Sequence, residues 1–105
     1  PRTVRVVLHG EFRPGVTGKD LIITLCGMYN QGEVLNAAVE FSGDGVASLT
    51  MDERMTVANM TTEWGALVGW FPVDDVTLDY LRRRKAVLER DGITRISDAD
   101  LEEWA

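Results

Sequence analysis

Three short apolar runs, VRVVL at residues 4–8, AAVEF at 37–41 and ALVGWFPV at 66–73, are each followed by a stretch long enough for a helix. This spacing restricts the fold more than any other feature. Antiparallel neighbours need only a tight turn, whereas parallel neighbours need a crossover of a dozen or more residues, usually helical. The order strand, helix, strand, helix, strand, helix therefore predicts an α/β fold, a small, mainly parallel sheet flanked by helices. In such sheets function is expected at the C-terminal edges of the strands.

Local signals agree with that order. VRVVLHGEF alternates with a period near two and is rich in β-branched residues. Thr17 stands three residues before Asp20, close to a capping box, and predicts a helix over 18–29. Gly43-Asp44-Gly45 stops the second strand. Residues 49–64 lack Gly and Pro and read as the second helix, 77–90 as the third, and Ser97 with Asp100 opens a short last one. No linker or repeat interrupts residues 1–105, so one domain is expected.

Charge and cysteine count exclude several classes of function. A net charge of −6 argues against a nucleic-acid surface, and Arg82-Arg83-Arg84-Lys85 reads as a solvated helix face. No apolar run approaches the roughly 20 residues that span a bilayer, and no signal peptide is visible. Pro1 in place of an initiator methionine suggests processing or an excised segment. Cys26 is the only cysteine, so no internal disulfide or multi-thiolate metal site is expected, and the thiol reads as buried and inert.

Other motifs have plain explanations. GVTGKD fails as a phosphate loop, because Arg13 stands where a Walker loop needs Gly and Asp20 would repel phosphate. His9 has no nucleophile motif beside it and reads as structural or surface, and Ser42-Gly43-Asp44-Gly45 reads as a connection. Trp70 is expected in the sheet core.

Glu63 is the exception. Met51, Met55, Asn59 and Glu63 are spaced by four and form a line on one helix side that begins apolar and ends polar. The acid falls in the last turn, where the helix dipole disfavours it by about 0.3 to 1 kcal/mol. Beside Trp64, which could keep water away, it has the surroundings of a proton-handling carboxylate, although a merely tolerated exposed Glu fits as well.

The segments FRPGVTGKDLI and EFSGDGVASLTMDERMTVANMTTEWGALVGWFPVDDVTLDYL resemble the aconitase superfamily, and ANMTTEWGALVGWFPVD looks most like its homoaconitase branch in the fungal lysine pathway. Other branches, aconitase and isopropylmalate isomerase, have related segments but differ at Ala58, Thr61, Thr62 and Trp64. The resemblance implies a three-layer domain of a mitochondrial-matrix hydro-lyase that interconverts homoaconitate and homoisocitrate. It implies a four-iron, four-sulfur cluster in the parent enzyme and none bound by this chain. Glu63 matches the family's active-site glutamate, and Asn59 matches the asparagine beside the cluster. The partners implied are the remaining domains of the same polypeptide and, in the full enzyme alone, a tricarboxylate substrate. The rival expectations are a non-catalytic protein- or metabolite-binding module of the same fold, or the equivalent domain of aconitase or isopropylmalate isomerase.

Overall fold

The computed structural model describes residues 1–105, which divide into two compact units, Pro1–Pro72 and Val73–Ala105. In the first, β1 (Thr3–Val7), α1 (Gly18–Met28), β2 (Ala38–Ser42), α2 (Met51–Met60) and β3 (Val68–Trp70) follow one another, with a 3-10 segment, Asp44–Ser48, leading into α2. The strands form one parallel sheet in the order β1-β2-β3. The expected α/β architecture with its small parallel sheet is thus present.

Both crossovers advance the sheet in one direction, so crossovers of one hand lay α1 and α2 side by side on one face, where they touch. Val4 and Val6 of β1 pair with Val39 and Phe41 of β2 and turn towards the helices, where Ile22, Leu25, Val57 and Val34 close the core. Each fully buried aliphatic or aromatic side chain of this kind contributes about 1.5 to 3 kcal/mol. The opposite face carries Thr3, Arg5, Val7, Val68 and Trp70, all exposed. Trp70 is therefore not in the sheet core as expected: it is 44% exposed, because the register gives the helix-facing position of β3 to Gly69.

That glycine is a steric requirement. A Cβ on Gly69 would lie 2.6 Å from Thr61 Cγ2 and 2.9 Å from Thr61 Oγ1, so the end of α2 can reach β3 only where no side chain intervenes.

The helix starts follow the sequence. Asp20 accepts from the Thr17 backbone N–H at 2.8 Å while Thr17 Oγ1 accepts from the Asp20 N–H at 3.4 Å. This completes the predicted capping box. The Thr17 backbone bond, and then its hydroxyl, hold the Asp20 carboxyl below the ordinary carboxylate range.

The second unit contains α3 (Asp75–Arg90) and α4 (Asp98–Trp104). Asp74 caps α3 and Gly92, at φ +77°, ends the turn after it. Ser97 and Asp100 form a second capping box, as expected. Arg82, Arg83 and Arg84 are exposed, but Lys85 bonds Glu89 at 2.7 Å and Asp98 at 3.3 Å and so ties α3 to α4.

Gly69→Ala should destabilise the first unit by about 1 to 3 kcal/mol through overpacking against Thr61. Denaturant unfolding of the variant checks this.

Candidate active site

A helix that follows a parallel strand runs back along it, so α2 begins at the C-terminal rim of the sheet and ends at the N-terminal rim. The polar end of α2, with Asn59 and Glu63, therefore lies beside the strand starts and not at the C-terminal edges where function was expected. The neighbours agree: the Asn36 N–H donates to the Gly65 carbonyl at 3.0 Å and the Leu67 N–H to the Ala37 carbonyl at 2.9 Å.

The expected helix over 49–64 is also shorter. Regular α2 stops at Met60, and the N–H groups of Glu63, Trp64 and Gly65 bond the carbonyls three residues back, those of Met60, Thr61 and Thr62, at 3.2, 3.1 and 3.0 Å. This tighter winding turns Glu63 further round the axis than a continuous α-helix would. Gly65, at φ +92°, then reverses the chain into β3.

The line Met51, Met55, Asn59, Glu63 does not begin in the core, since Met55 is 45% exposed. The buried face of α2 is instead Arg54, Val57 and Thr61. Arg54 is 2% exposed, donates from Nη2 to the Val46 carbonyl at 2.8 Å and from Nε to that of Leu49 at 3.2 Å, and lies 5.9 Å from the Phe71 ring centre. Phe71 stacks on Phe41 with ring centres 4.6 Å apart. Charge concealed this residue from the sequence reading, although its spacing of three from Val57 and seven from Thr61 placed it on the inward face.

Trp64 anchors the turn that carries the acid. Its indole Nε1 donates to the Tyr29 carbonyl at the end of α1 at 2.8 Å, and the two rings lie 6.4 Å apart. The indole is thus directed towards α1, and Glu63 itself is exposed, as is Asn59. Neither side chain is hydrogen-bonded or ion-paired within the chain. Both remain available to groups outside it.

Cys26 shares this rim and is half-buried, less enclosed than expected. Burial, and secondly the charge of Glu63, push its thiol above the ordinary value. No group of three His, Cys, Asp or Glu side chains could hold a metal ion, and a single thiol cannot hold an iron-sulfur cluster. The residues of this chain do not fit that cofactor by themselves.

The C-terminal rim is simpler. His9 Nδ1 and the Gly10 N–H both meet Asp44 Oδ1, at 3.1 and 3.3 Å, with the His9 and Asp44 side chains exposed. Asp44 thus closes a connection, as read, and His9 is a surface residue.

The model of the aconitase family (aconitate hydratase) matches residues 1–102, nearly the whole chain and both of its units. The chain belongs to the aconitase family. Among its relatives in that family, the mitochondrial homoaconitase of Mycosarcoma maydis is 56% identical over 93 residues, 89% of this chain and 12% of that protein. The mitochondrial homoaconitase of Eremothecium gossypii is 60% identical over 86 residues, 82% of this chain and 12% of that protein. That of Kluyveromyces lactis is 55% identical over 84 residues, 80% and 12% respectively. The chain spans about an eighth of the length of these aconitase-family relatives.

Removing the Glu63 charge should lower the Cys26 pKa. Glu63→Gln is expected to speed alkylation of Cys26 by iodoacetamide near neutral pH, because more of the thiol is ionised. An unchanged rate would show the two groups to be uncoupled.

Proposed function

We propose that this chain is one domain of a homoaconitase, a hydro-lyase that interconverts homoaconitate and homoisocitrate in the α-aminoadipate route to lysine. The domain supplies Glu63 as proton-transfer group and Asn59 as a polar neighbour, and the other domains of the polypeptide complete the site. The observation that carries this reading is the exposed, unpartnered Glu63 on a turn fixed by the Trp64 bond to Tyr29. Identities of 55 to 60% to mitochondrial homoaconitases support it. They also support a mitochondrial-matrix location.

Loss or addition of water requires a proton to move to or from the departing oxygen, and a carboxylate held in place can carry it. In this reading Glu63 is that carboxylate, carried on the turn that the Trp64 bond to Tyr29 anchors. Its enclosure, which tunes such a group to its task, must come from surfaces packed over this rim in the longer polypeptide. The same holds for substrate charge: a domain at −6 repels a tricarboxylate, so the cations that bind it belong to other domains. The four-iron, four-sulfur cluster of the parent would likewise be held by cysteines outside this chain.

Glu63→Gln in the full-length enzyme should lower kcat for homoisocitrate dehydration by about 10²- to 10⁴-fold, the usual worth of a positioned acid or base, with thermal unfolding unchanged. Unaltered turnover would overturn the assignment. Incubating the 105-residue chain with iron and sulfide should produce no cluster absorption band and no hydratase activity.

A further inference from the structure

We propose that the outer edge of β1 receives a fourth strand, supplied by another part of the full-length polypeptide. β1 is an edge strand. At its two ends the Arg2 carbonyl accepts from the Ala38 N–H at 3.0 Å and the Leu8 N–H donates to the Ser42 carbonyl at 2.7 Å, so the even-numbered residues bond towards β2. A parallel ladder alternates in this respect. The N–H and C=O groups of Thr3, Arg5 and Val7 therefore point away from the sheet, and no backbone group of the chain pairs with them.

Edge strands of soluble proteins are usually blunted by shortness, proline, charge or a bulge. The other edge, β3, has only three residues. β1 has five, with no proline or glycine among them, and its one charge, Arg5, lies 3.8 Å from Glu40 in an ion pair.

An apolar groove of about 470 Å³ runs along this edge, walled by Val4, Val6 and Leu8 on one side and by Leu25, Met28 and Trp64 on the other. A strand laid against β1 would meet the outward backbone groups and place every second side chain in that groove.

Charge and length select the occupant. A second copy pairing antiparallel about the centre of β1 would set Arg5 opposite the second copy's Arg5, and like charges so placed repel. A strand with a carboxylate beside Arg5 and apolar residues towards the groove has no such conflict. All three strands of this chain are already placed, whereas the relatives carry about seven eighths of their length outside the matched region. The occupant is such a strand from that remainder. The inference rests on the reading of this chain as part of a longer polypeptide and is independent of the chemistry assigned to Glu63.

Hydrogen exchange resolved to single amides tests it. In the 105-residue chain, Val4, Val6 and Leu8 should be protected while Thr3, Arg5 and Val7 exchange rapidly. In the full-length polypeptide, Arg5 and Val7 should become as slow as Val4 and Val6. Arg5→Pro removes an outward N–H together with the surface ion pair to Glu40, so it should leave the protection of Val6 and Leu8 in the short chain unchanged but lower the Tm of the full-length protein by more than Arg5→Ala, which loses the ion pair and keeps the N–H. Rapid exchange at Arg5 and Val7 in a full-length enzyme whose turnover still depends on Glu63 would overturn the fourth strand and leave the proposed function intact. Protection at Arg5 in the short chain that grows with its concentration would identify a second copy as the occupant and overturn the proposal equally.

Discussion

Parallel pairing of β2 with both neighbours is the constraint from which the rest of the first unit follows. Each strand must be re-entered from the same end, so each connecting segment has to travel the full length of the sheet. The two segments that do this are α1 and α2, and their shared face buries Val39 and Phe41 completely. The C-terminus of α2 is thereby delivered to the N-terminal rim, together with the asparagine and the acid at its end. The position of Glu63 is thus a matter of topology before it is one of chemistry.

A buried cation steadies the opposite end of the same helix. Arg54 reaches back to the carbonyls of Val46 and Leu49, in the connection that leads from β2 into α2. A charged group taken out of water is tolerated where its donors are satisfied, and hydrogen bonds from such a group contribute more than neutral ones. With the stacked rings of Phe71 and Phe41 nearby, the guanidinium fixes where α2 starts. The close approach of Thr61 to Gly69 fixes where it ends.

Much of this was legible in the sequence, because strand periodicity and helix caps are local signals. The capping boxes at Thr17 and Ser97 and the stop at Gly92 were all readable from neighbouring residues. What escaped the sequence depends on contacts between distant residues. Trp70 looks like a core residue until the register assigns the inward position to Gly69. The tightening after Met60 leaves no compositional mark, since Thr, Glu and Trp are acceptable in either kind of turn. Asn59 and Glu63 were singled out by spacing and by family resemblance. Their exposure, and the direction of Trp64 towards α1, required three dimensions.

The tie between the Trp64 indole and the Tyr29 carbonyl makes the loop between α1 and β2 a spacer for the neighbouring carboxylate. That loop also holds Asn36, which bonds Gly65 on the far side of the same turn. Inserting or deleting a residue between them would alter the distance between two anchorage points of one short arch and so re-aim Glu63 without touching it. The length of this loop, more than its wording, therefore sets the span that the arch has to bridge.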